Sequence, residues 1–175
     1  MRKLVAQCIV VTALAVMAAP VQAQVDLTDT RTAEQKWTRM IYMANFLVTG
    51  MTDYGAALGQ TPEEVGEWMG DFAARSWGGP GSMTPSAFVR QTFLNNNLWP
   101  DLEFEVLSET EQQIRFRMNM PWAAYFGEDR VAYSVSMEDF TTVVCKMNEG
   151  IADSLGFSMT HEISGDSITF TVTAS

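Results

Sequence analysis

Two residue types that carry much of enzyme chemistry are almost missing from this 175-residue chain: it has one histidine, His161, and two cysteines, Cys8 and Cys145. A zinc site built on several imidazoles is excluded, and triad chemistry has a single imidazole to draw on. No C-x-x-C, H-E-x-x-H, G-x-S-x-G or phosphate-binding glycine loop occurs. Positive charge is scarce as well, with 11 Lys and Arg against 21 Asp and Glu and a formal net charge of −10. That balance argues against nucleic acid and against anionic membrane surfaces, which both need basic patches. The acids are dispersed, as on a solvated surface or in a chain that meets a cationic partner.

Long apolar runs are also absent, with one exception. Leu4 to Ala19 is apolar apart from Gln7 and Thr12, and Pro20 and Gln22 follow it. It is shorter than the roughly 20 residues a membrane-spanning helix needs. Arg2 and Lys3 precede it, and Val21-Gln22-Ala23 puts small residues at −3 and −1 of a cut before Gln24, which predicts a cleavable secretory signal over residues 1–23. Cys8 lies too early in the segment to serve a lipoprotein signal. The expected product is one domain, residues 24–175, periplasmic or secreted, with no stable membrane insertion after cleavage. It would keep 9 basic and 21 acidic residues and the single thiol of Cys145, so it would hold no disulfide within one chain. Its 152 residues can bury about two thirds of the surface the unfolded chain exposes. Cys145 closes the run Thr141-Thr142-Val143-Val144, which predicts burial rather than a reactive thiol.

What is present is periodic. From Arg31 to about Leu58, Trp37, Met40, Ile41, Ala44, Leu47, Val48 and Met51 recur every three or four residues, and the spacing predicts a helix with this stripe inward. Thr61-Pro62-Glu63-Glu64 reads as a capping box opening a second helix to about Trp77, with Val65, Trp68, Met69 and Phe72 inward. Thr84-Pro85 opens a third, through Phe88, Val89, Phe93 and Leu94 to Asn95. The period then shortens to two. Phe104 and Val106 alternate with Glu103 and Glu105, and Ile114, Phe116, Met118 and Met120 with Gln113, Arg115, Arg117 and Asn119, so opposite charges can pair across a solvent face. A short strand over Val131 to Val135, a helix capped by Ser136 over Met137 to Leu155, and a hairpin (Phe157 to Ile163, Ser167 to Thr173) complete the order. The fold class this implies is α+β: an antiparallel sheet of about four to five strands covered by about four helices, with a C-terminal β-hairpin.

Alternation places His161 on the apolar side of its strand beside Met159 and Ile163, either as a pocket base or ligand contact or as a hydrogen-bonded core residue. Glu162 and Asp166, and Glu128-Asp129, read as solvated acids; no metal site and no cofactor is indicated. Met118 to Gly127 is apolar and aromatic where a loop should be polar, which suits a pocket lid, a partner-binding patch, or a loop tucked under the fourth helix.

From Val143 to Val172, the helix with Gly150 and Leu155-Gly156, the strand with His161-Glu162, then Gly165-Asp166 and Phe170-Thr171-Val172 resemble the end of vinyl-reductase-type small-molecule-binding domains, relatives of L-2-amino-thiazoline-4-carboxylate hydrolase. The resemblance implies an α+β fold with a ligand cavity between helices and a curved antiparallel sheet. Ile163 and Ile168 stand where such domains carry cysteines, so it implies no metal site here.

Three functions are open. The first is an exported domain holding a small apolar or aromatic ligand between the sheet face (Phe116, Met118, Met159, His161, Phe170) and the first and fourth helices, with Trp122 and Tyr125 at the mouth. The second is a non-catalytic subunit of an envelope or extracellular assembly, docking through the Trp122–Phe126 loop. The third is a hydrolase using His161 with a nearby carboxylate.

Overall fold

The computed structural model describes residues 30–99 and 101–174. The proposed signal lies outside the described residues. Residues 31–175 form one compact unit that holds every element below.

Three helices come first: α1 (Ala33–Ala57), α2 (Pro62–Ala74) and α3 (Pro85–Asn96). Each starts at a threonine whose hydroxyl accepts a backbone N–H of the first turn, Thr32, Thr61 and Thr84. In the expected capping box of α2, Glu64 Oε2 accepts the Thr61 N–H at 2.8 Å. β1 (Phe104–Glu109) and β2 (Gln113–Asn119) form an antiparallel pair with a bulge between Val106 and Ser108. The apolar segment after β2 holds a single helical turn, α4 (Ala123–Phe126), and the expected strand over 131–135 is a two-residue hairpin, β3 (Val131–Ala132) and β4 (Val135–Ser136). Then come α5 (Met137–Ser154), β5 (Phe157–Ser164) and β6 (Ser167–Ala174).

The sheet is antiparallel with strand order β1-β2-β6-β5, so the fold is α+β with a four-stranded sheet and a C-terminal hairpin. One face is polar, and there Arg117 pairs with Glu105 at 2.6 Å, in register across β1 and β2 as the alternation predicts. The other face carries Ile114, Phe116, Met118, Ile168, Phe170 and Val172, all buried, and α3 and α5 pack on it. Phe104, Phe116 and Phe170 stack in a row at centroid distances of 4.9 and 5.1 Å.

α5 is covered on its other side by α2, at unusually close range. Gly66 and Gly70 bring the two backbones together: a Cβ on Gly66 would lie 2.5 Å from Lys146 Cβ and 2.8 Å from the Val143 carbonyl oxygen, and one on Gly70 would lie 3.0 Å from Gly150 Cα. The buried face of α2 is therefore Val65, Gly66, Gly70 and Ala74. This corrects the inward assignment of Trp68 and Phe72, which stand 54% and 59% exposed. A stripe of small residues lets helices approach in a way that large side chains would prevent.

Candidate functional site

The seven proposed ligand residues are brought together but do not line one opening. Phe116, Met118, Met159 and Phe170 are buried in the core between the sheet and the helices. Trp122 is 2% exposed, and its indole N–H donates to Thr141 Oγ1 of α5 at 3.0 Å. Phe126 is buried against Phe140, with ring centroids 5.1 Å apart, and Tyr125 is half-buried. The aromatic loop is thus tucked under α5. Its Trp122 and Phe126 are core residues, and the docking surface proposed for this loop is not free. The apolar loop sequence is explained by α4, whose single turn seats both aromatic rings.

His161 sits at the edge of the sheet on β5 and meets a partner that sequence reading did not identify. Its Nδ1 lies 2.6 Å from Oε1 of Glu149 on α5. The other oxygen of Glu149 accepts from Lys146 Nζ at 2.8 Å. The hydrogen bond to Glu149 raises the Lys146 pKa above its ordinary value against partial desolvation, and the charges of Glu67 and Glu63 add to the rise. The close approach of α2 and α5 makes a polar cleft of about 420 Å³, in which Glu67 and Asp71 of α2 face Lys146, Glu149 and Asp153 of α5. Met159 reaches its floor. One helical turn before Glu149, the fully buried Cys145 thiol is pushed up to about 12, by burial first and then by the Glu149 charge. It is held neutral, so the cleft gains no thiolate nucleophile. Among the described residues no cluster of three or more His, Cys, Asp and Glu is placed to hold a metal ion. Glu149 and His161 are 12 positions apart on different elements, and only the pairing of α5 with β5 joins them.

The largest departure from the sequence reading is on α1. Its buried residues are Ile41, Asn45, Thr49, Thr52 and Gly55, four of them polar or small. Of the expected inward stripe, Trp37, Met40 and Leu47 stand 43%, 64% and 61% exposed. Trp37, Met40, Ala44, Leu47, Met51, Tyr54 and Leu58 follow one another at alternating intervals of three and four, an average period of 3.5, along a flank that the domain leaves mostly open: the Trp37 indole N–H donates to the Leu98 carbonyl at 2.8 Å and Met51 is half-buried, while the other five are exposed. On the opposite flank Tyr42 rests on Tyr125 and Phe46 on Tyr133, both at 5.7 Å. The open flank continues into α2. Met51 and Tyr54 share a groove of about 160 Å³ with Val65 and Trp68, and Trp68 stacks on Phe72 at 5.9 Å, with the Arg75 guanidinium over Phe72.

No family model and no curated protein matches this chain.

Proposed function

We propose that this chain is a non-catalytic subunit that docks onto a helix of another chain through the outward flank of α1 and α2. One observation carries the reading: a seven-position apolar seam with a 3.5-residue period lies exposed at every position but the half-buried Met51, while the same helix turns Ile41 and four polar or small residues inward. An apolar a/d repeat sustained over three heptads is the signature of a helix that packs on another helix. Single exposed apolar residues need no explanation, but a continuous patch of this size on a soluble domain marks an interaction surface. The setting belongs to the proposal too. Residues 1–23 have the form of a secretory signal, which would place the subunit in the periplasm or outside the cell.

A photo-crosslinking side chain at Leu47, in cells that make the chain, tests the docking reading. A discrete protein adduct is expected at 47 and none at Glu111, at the exposed β1–β2 turn. Equal labelling at both positions, or no adduct at 47, overturns it. The N-terminus of the purified chain tests the setting, since cleavage predicts that it begins at Gln24.

The Glu149–His161 pair favours a second reading, in which the polar cleft binds or hydrolyses a small cationic or polar ligand. His161→Ala and Glu149→Gln should each abolish any thermal shift that a ligand panel produces. A ligand whose shift survives both variants binds elsewhere.

A further inference from the structure

The seam is self-complementary, and we infer that its occupant is the α1 helix of a second copy, packed antiparallel about a two-fold axis near Thr49. This rests on the docking reading above and names its partner. Four features of the molecule select a second copy. The first is size. In an antiparallel pair of this register Met40 meets Leu58, Ala44 meets Tyr54 and Leu47 meets Met51, so that the one small residue of the seam stands opposite its bulkiest central one. Each layer then occurs twice, which is the signature of an isologous contact.

The second is Gly50. It lies inside α1 beside the proposed axis, and a Cβ there would meet nothing within 4 Å. Nothing in the domain requires glycine at this point, and glycine weakens a helix interior. A backbone arriving from outside gives it a purpose, because two helices cross most closely at the two-fold.

The third is charge. In a chain with 21 acids, the positions flanking the seam from Ile41 to Ala57 hold Ile41, Met43, Val48, Gly50, Gly55 and Ala57, and no acid. The α1 part of this flank therefore carries no acid that would drive copies apart. Lys36 and Arg39 outnumber Glu34 in the first half of α1, whereas Asp53 lies in the second and Glu63 and Glu64 open α2. Antiparallel packing sets the basic end of each copy beside the acidic end of the other, and beside a helix C-terminus with no basic residue in its last turn. A parallel pair would set like against like.

The fourth is area. Seven apolar side chains of the α1–α2 flank stand half or more exposed. At 150–250 Å² per large side chain they present roughly 800 Å², which is about what each partner contributes to a stable interface of standard size.

The test is sedimentation of the full chain, joined to disulfide trapping in a Cys8→Ser background. The wild type should sediment as twice the chain mass. Leu47→Glu should weaken the pairing on the order of 100-fold or more, because each dimer then buries two unpaired charges at its centre. Leu47 is an exposed side chain within one copy, so this variant should keep the circular dichroism of the wild type. Mixing Met40→Cys chains with Leu58→Cys chains should give a cross-linked dimer that neither variant gives alone. A Met40→Cys dimer linked to itself overturns the antiparallel arrangement. A wild type that stays monomeric at high micromolar concentration, with another protein in the Leu47 photo-adduct, overturns the second copy and leaves the docking reading standing. A monomer with no protein adduct overturns both, and flotation of that monomer on zwitterionic vesicles would assign the flank to lipid.

Discussion

Gly66→Ala puts the close approach of α2 and α5 to a quantitative test. The added methyl would lie 2.5 Å from Lys146 Cβ and 2.8 Å from the Val143 carbonyl oxygen. Carbon atoms are at their best separation near 3.5–4.0 Å, so α2 and α5 must part by about 1 Å at this point. They cannot part locally, because Gly70 and Gly150 hold the same two helices together one turn on. Overpacking of this kind costs about 1–3 kcal/mol, and with backbone on one side of the clash the upper part of that range applies. Alanine returns up to about 1 kcal/mol as the better helix former. The net loss is about 2 kcal/mol, a fall in Tm of roughly 4–8 °C for a domain of this size. Gly50→Ala is the matched control, since its methyl meets nothing within 4 Å. Placed in the Leu47→Glu background, where pairing is removed, it should gain about 0.5–1 kcal/mol and raise Tm by a few degrees. Differential scanning calorimetry of the variants reads both signs. A Gly66→Ala protein as stable as the parent would show that α2 and α5 do not approach as described, and the polar cleft between them would lose its geometry as well.

Three further outcomes follow from the core. Because the Cys145 thiol titrates near 12 when folded and near 9.0 when unfolded, its neutral form contributes stability below pH 9 that is lost as pH rises toward 12. Urea midpoints should show the wild type losing about 1.4 kcal/mol per pH unit above 9 relative to Cys145→Ala, and parallel curves would refute a buried neutral thiol. Trp122→Phe leaves Thr141 without its indole donor in a dry site and should cost about 1–3 kcal/mol in chemical denaturation, whereas a loss near zero would mean that the loop is not tucked in. Phe116→Ala removes the middle ring of the Phe104–Phe116–Phe170 stack and should cost about 3–5 kcal/mol, measured the same way.

Most of the architecture was legible because local chemistry decided it. Threonine followed by proline marked the starts of α2 and α3, and strict alternation marked β2, β5 and β6 down to the Glu105–Arg117 pair. What was not legible was which apolar surface the chain would cover by itself. Met40, Leu47 and Tyr54 are large and largely apolar, and hydrophobicity ranks them above Asn45, Thr49 and Gly55, which the domain buries instead. The deciding factor is distance between helices. Small residues win the inside of α2 because Gly66 and Gly70 allow contact with α5 that Trp68 and Phe72 would block. The Glu149–His161 pair escaped for a related reason, since it needs the register of α5 over β5, which no local pattern encodes.

The strand order has a consequence for the timing of folding. β2 is made from residues 113–119, yet its inner neighbour in the sheet is β6, residues 167–174. A nascent chain that has finished α5 has therefore built the helices and an outer hairpin but cannot close the sheet. Ile168, Phe170 and Val172, the centre of the apolar face, do not yet exist for it. Closure of this sheet must wait for synthesis to pass residue 174, so the domain's core forms late and all at once rather than element by element.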